Sequence, residues 1–268
     1  MQFKNFLFNG RSSSLKSFCA MVFVTLVSTF SAFGLNTPPT LRDELTGKEI
    51  SEGNRNLVIC IHGWNNPPNS NRYSEYEWAV LMAELKIALP KNGSDPWAVL
   101  SYHWEADADT GPVFGWPNPL LNNAVANANE ASAFAWLHGD SLGPRLPLSL
   151  RRVHVIAHSA GAWAARQTAL SLLEKNPFVV VQITLLDPYV PDSVLANSYN
   201  VSKLNDLADA DFQYGGRVSL LENYYADDSL IGGWNSTMMP APTLGTQNTF
   251  IWRGNDINQR VDWGAVMV

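Results

Sequence analysis

A β-type apolar run, Arg152 to Ala157, passes through Ala157-His158-Ser159-Ala160-Gly161 directly into the alanine-rich, helix-compatible stretch Ala162 to Leu170. So abrupt a turn from strand to helix needs small residues at the bend, and Ala157, Ala160 and Gly161 supply them. The same alternation runs through the chain. Apolar runs fall at 57–61, 97–102, 152–157, 179–186 and 218–225, with helix-compatible segments at 73–89, 120–138 and 160–175 between the earlier ones. Strands alternating with helices predict an α/β architecture, a mostly parallel twisted sheet with helices on both faces. Right-handed crossovers then place the C-terminal end of each strand on one edge, where an open α/β sheet carries its site.

The 268 residues, 46% hydrophobic and 16% charged, are material for one large core and argue against disorder, fibres and repeats. A net charge of −6 and a pI near 5.3 argue against a nucleic-acid partner, which needs clustered Lys and Arg. Residues 1–34 have the three-part form of a secretory signal. Lys4, Arg11 and Lys16 come without an acid, an apolar run follows from Phe18 to Phe30, and Ala32-Phe33-Gly34 offers small residues for cleavage after Gly34. The alternative, an uncleaved anchor helix, is disfavoured because that run is short for a ~30 Å hydrocarbon core. Cleavage removes three cations, moving the net charge from −6 to −9, and leaves residues 35–268 as a single secreted or periplasmic domain. Of the two cysteines, Cys19 lies inside the signal, so the mature domain keeps one thiol and forms no internal disulfide. That thiol, in Leu57-Val-Ile-Cys60-Ile61, reads as a small buried hydrophobe.

Between the regular elements, 36–56 is polar and turn-rich. Glu105 to Pro119 and Gly139 to Ser149 read as Gly/Pro-rich loops placed to line or cover a pocket. From Asp228 to Gly245 the chain is again loop-like, its Trp and Met suiting either an apolar acyl pocket or core packing.

A serine hydroxyl is a poor nucleophile until it is held exposed on a strained turn and deprotonated as it attacks; Ser159 sits where such a turn holds it. Acyl transfer also needs donors aimed at the developing oxyanion, from the amide after the nucleophile and from a loop after an earlier strand. Leu57 to Trp64 is a strand running into His62-Gly63-Trp64, so the oxyanion donors are assigned to the backbone N–H groups of Trp64 and Ala160. His62 itself reads as a buried histidine that fixes the loop by hydrogen bonding.

Ile61-His-Gly-Trp64, Ala157-His-Ser-Ala-Gly161 and Leu185-Leu-Asp-Pro188, in this order, resemble the α/β-hydrolase fold and, more narrowly, the pancreatic-type lipases and esterases, over roughly residues 55 to 190. Ala157 replaces the first glycine of the common G-x-S-x-G pattern. The resemblance implies a triad acid directly after the strand that follows the nucleophile helix, at Asp187. The residues agree, since the run Val179 to Leu186 delivers Asp187 to the active edge, although Asp227 or Asp228 one strand later competes for the role. It also implies a small-molecule or lipid ester substrate, with transient contact at a lipid interface. The elbow itself specifies acyl transfer and leaves ester or amide open.

The departure from the pattern is the base. The triad order is Ser, Asp, His, yet the five histidines are His62, His103, His138, His154 and His158, and none follows Ser159. The favoured explanation is a chain truncated after its last strand-like segment. The others are substitution by His103 or His138, which read more readily as surface or loop residues, and a hydrolase fold kept for binding. No metal-ligand spacing or phosphate loop is legible, so no cofactor is expected; Glu105, Asp107 and Asp109 read as solvated acids.

Overall fold

The structure, a computed structural model, describes residues 35, 40–43, 46–64, 78–90, 95–110, 119–189, 213–226 and 257–261. The chain divides into two compact units, Met1–Asn36 and Thr37–Val268; of the first only Leu35 is described, so the proposed signal lies outside the described residues. In the second unit the strands are β1 (Thr40–Arg42), β2 (Asn56–Ile61), β3 (Trp97–His103), β4 (Arg152–His158), β5 (Val180–Leu186), β6 (Val218–Ala226) and β7 (Ile257–Val261). The helices are α1 (Trp78–Ala88), the single turn α2 (Glu105–Ala108), α3 (Pro119–Leu142) and α4 (Gly161–Lys175), with a 3₁₀ turn at Gly143–Arg145.

The seven strands form one sheet in the order β1-β3-β2-β4-β5-β6-β7, all parallel except the edge pair β1–β3. β2 is buried at all six positions, as a central strand covered on both faces must be. Leu57, Ile59 and Ile61 of β2, with Val153, Val155 and Ala157 of β4, pack in the core that holds Ala135 of α3 and Trp163 and Leu173 of α4. The intervening Val58 and Cys60, with Val99 and Ile156, face Trp78 and Met82 of α1. Burial pushes the Cys60 thiol up to about 12. The expected α/β architecture, a mostly parallel sheet with helices on both faces, is therefore observed.

Two expectations are corrected. The turn-rich segment 36–56 contains β1, which is too short to show an alternating pattern and is recognised only by its pairing, Leu41 opposite Tyr102. The Gly/Pro loops at 105–119 and 139–149 are partly helical, because α2 opens the first and α3 runs on into the second. Gly139 lies within that helix and Gly143 opens the 3₁₀ turn directly after it, and both let α4 approach. A Cβ on Gly139 would sit 2.3 Å from the Ala164 carbonyl oxygen, and one on Gly143 2.5 Å from Ser171 Cβ.

Candidate active site

From β2 the chain moves outward to β3, then returns past β2 to lay down β4 on its other side. The direction of strand placement therefore reverses between β2 and β4, and the crevice at their C-terminal ends is the switch point where an open α/β sheet binds ligands. His62-Gly63-Trp64 leaves β2 there, Ser159 leaves β4, and Asp187 leaves the adjacent β5.

Among the described residues, Ser159 (φ 51°) and Asp187 (φ 45°) are the non-glycine residues in the left-handed region. Each such conformation costs about 1–2 kcal/mol, so it persists only where the surroundings impose it. Backbone hydrogen bonds do so here. The Ser159 N–H donates to the Leu186 carbonyl at 3.0 Å, and the Asp187 N–H to the Tyr224 carbonyl at 2.6 Å. Ser159 is 8% exposed, and Ala160 behind it caps α4 without a side-chain bond, so its N–H belongs to the first turn, which lacks intrahelical acceptors.

Two glycines close the turn after β2 against the elbow. A Cβ on Gly63 would lie 2.6 Å from Ser159 Cβ, and one on Gly161 2.3 Å from the His62 carbonyl oxygen. The stretch from His62 to Trp64 thus packs on the nucleophile turn with no room for a methyl group on either side. His62 is 1% exposed; its Nδ1 lies 2.9 Å from the Gly63 carbonyl, which only accepts, so Nδ1 carries the proton. Burial, opposed in part by the Glu105 carboxylate, brings the His62 ring down to about 4. The expectation that His62 fixes its loop by hydrogen bonding agrees with this geometry.

The other histidines are not surface residues. His103 and His138 are both buried, which corrects the sequence expectation. His103 Nε2 accepts from Arg42 Nε at 3.1 Å and faces Ser101 Oγ at 3.0 Å, while Nδ1 donates to Glu105 Oε1 at 2.7 Å. His138 Nε2 donates to Asp107 at 2.8 Å and Nδ1 accepts from the Tyr102 hydroxyl at 2.6 Å. Both ring nitrogens of each thus have partners other than Ser159. Desolvation lowers the His138 ring despite its bond to Asp107. Asp107 is 1% exposed and Glu105 is bound to His103, so two of the three acids read as solvated, Glu105 and Asp107, belong to a network brought together from β3, α2 and α3. His154 Nε2 lies 2.8 Å from Thr184 Oγ1, and His158, beside Ser159, is brought to about 4 by burial and by neighbouring His62.

The structure thus gathers Trp64, Ser159, Ala160 and Asp187 at one end of three neighbouring strands, while Asp227 and Asp228 lie outside the described residues. Sequence reasoning missed Trp104, which is fully buried and donates its indole N–H to the His62 carbonyl at 3.0 Å. Its place directly after β3, beside the switch point, was the available signal. Among the described residues no group of three His, Cys, Asp or Glu is arranged to hold a metal ion, and no helix is long and apolar enough to cross a membrane.

No family model and no curated protein matches the chain. Among solved structures, the esterase Est1E from Butyrivibrio proteoclasticus aligns at a TM-score of 0.34 and 11% identity, covering 70% of this chain and 72% of that one. A histone deacetylase from Saccharomyces cerevisiae aligns at a TM-score of 0.29 and 12% identity, covering 95% of this chain and 91% of that one.

Proposed function

We propose that this chain is a serine hydrolase of the pancreatic-type lipase and esterase group, acting on carboxylic esters of small molecules or lipids. The observation that supports it best is the left-handed Ser159 at a strand-to-helix turn on the topological switch point, a strained placement that a merely structural serine does not need. In this reading Ser159 Oγ attacks the ester carbonyl carbon, and the Trp64 and Ala160 amides hold the oxyanion. The alcohol leaves as the acyl-enzyme forms, and water releases the acid and frees Ser159. In this reading Asp187 orients a histidine base, which in the order Ser, Asp, His would follow it and which this sequence does not contain.

A second reading, a binding protein on the same fold, is favoured by one observation: none of the five histidines follows Ser159, and His62, His103, His138 and His154 bond to Gly63, Glu105, Asp107 and Thr184. Losing a triad member leaves about 10³–10⁴-fold acceleration from the oxyanion hole and binding. The test is hydrolysis of p-nitrophenyl esters of graded acyl length by the whole chain, with and without added imidazole as an external base. The hydrolase reading expects a slow rate that imidazole raises and Ser159→Ala abolishes. Equal rates for wild type and Ser159→Ala under both conditions, together with saturable binding of an unreactive ester analogue, would establish the binding protein instead.

The secreted or periplasmic location and transient contact with a lipid surface belong to the same proposal. Export with cleavage after Gly34 is checked by N-terminal sequencing of the product, which should begin at Leu35.

A further inference from the structure

We infer that Trp104 is a positioning residue for the Trp64 oxyanion donor, anchoring the turn from His62 to Trp64 against the elbow through its indole N–H and its ring face. The consequence for rate rests on the serine-hydrolase reading above; the geometry that suggests it does not.

In a trans peptide the C=O and N–H point opposite ways, so fixing a carbonyl fixes the amide that follows it. Both carbonyls of this turn are fixed. The His62 carbonyl accepts the Trp104 indole N–H at 3.0 Å, which sets the Gly63 amide. The Gly63 carbonyl accepts the His62 Nδ1–H at 2.9 Å, which sets the Trp64 amide. The second constraint is only as firm as the His62 ring, and that ring is stacked on Trp104 with centroids 5.2 Å apart and planes 21° from parallel. Trp104 therefore acts on both peptide units, directly through its N–H and indirectly through its face.

Trp104 is itself held. It is fully buried, and a second ring against it is that of His138 at 5.7 Å, pinned by Tyr102 and Asp107. If the peptide between His62 and Gly63 flipped, its N–H would face the indole N–H, a donor against a donor. The buried indole would lose its acceptor, and the turn that carries the Trp64 amide would lose the bond that anchors it. Gly161 lies against the same His62 carbonyl with no space for a Cβ, so the arrangement is closed from the elbow side as well.

The test is the rate of fluorophosphonate labelling of the whole chain, with imidazole present, resolved into a maximal rate constant and a half-saturating concentration. Trp104→Phe keeps an aromatic ring and loses the donor. Benzothienylalanine placed at position 104 keeps the shape of indole and lacks only the N–H, so it stands if the phenylalanine variant folds poorly. Both are expected to label roughly 10- to 100-fold more slowly at an unchanged half-saturating concentration. Trp136→Phe, which alters an aromatic stack with Trp163 in α3 and α4, is expected to label at the wild-type rate. Wild-type rates in the benzothienylalanine protein would overturn the inference while leaving Ser159 as the nucleophile. Failure of the wild-type protein to label would overturn the hydrolase reading and this inference with it.

Discussion

Replacing Gly161 by alanine tests whether the turn after β2 and the nucleophile elbow are built as one unit. The added Cβ would lie 2.3 Å from the His62 carbonyl oxygen, 3.0 Å from the Ile61 carbonyl oxygen and 3.1 Å from the His62 carbonyl carbon. All three are backbone atoms, so no side-chain rotation relieves the overlap. Overpacking of this kind costs about 1–3 kcal/mol. A 2.3 Å approach to backbone belongs to the upper half of that range, about 2–3 kcal/mol, and alanine in place of helical glycine gains about 0.5–1 kcal/mol, leaving a net loss of about 1–2.5 kcal/mol. At about 2–4 °C per kcal/mol for a chain of this size, the melting temperature should fall by roughly 2–10 °C. The effect on chemistry should be larger, because the atoms pushed aside carry the proposed oxyanion donors. A displacement of about 1 Å can cost on the order of 100-fold in rate. Calorimetry and fluorophosphonate labelling measure the two effects. Gly53→Ala serves as the control, since its nearest neighbour is a Ser51 hydroxyl at 3.9 Å. An alanine at 161 that melts and labels like wild type would refute the close packing and the coupling built on it.

Acid should destabilise the fold. His62 and His158 are brought from the ordinary 6.5 to about 4 in the folded protein, so between those values the unfolded chain binds more protons. The stability is fully present above pH 6.5 and is lost as pH falls toward 4, on the order of 3 kcal/mol for each ring. Urea midpoints at pH 7 and pH 4.5 measure this, and His158→Gln should flatten the loss. Cys60, buried with its thiol pushed up to about 12, should resist iodoacetamide at pH 8 in the folded protein and react fully in urea, as read by intact mass. Gly143→Ala should push the 3₁₀ turn after α3 away from α4 and lower stability by about 1–3 kcal/mol without slowing labelling, because its contacts are Ser171 and Thr168, further along α4 from the elbow.

The central strands were legible because burial on both faces leaves continuous apolar runs: 57–61 became Asn56–Ile61 and 152–157 became Arg152–His158. The helix at 160–175 was equally plain, its alanines marking a helix that packs closely on the sheet and on α3. β1 was not legible, since three residues carry no period and its pairing is with a strand some 60 residues away. Gly139 and Gly143 misled for a different reason, because glycine as a breaker and glycine as a point of close approach look the same in a sequence. Ser159 and its turn could be located, but the left-handed backbone of Asp187 is imposed by bonds between neighbouring strands. The buried His62, Trp104, Asp107 and His138 network was hidden for the same reason, since its members come from three separate segments and meet only in the fold.

The most direct test of the account is to treat the folded chain with a fluorophosphonate in the presence of imidazole and to locate the adduct by peptide mass spectrometry. The account predicts a single phosphonylated site at Ser159 that disappears on prior unfolding. An unmodified Ser159 in folded protein, or equal labelling of other serines, would contradict it.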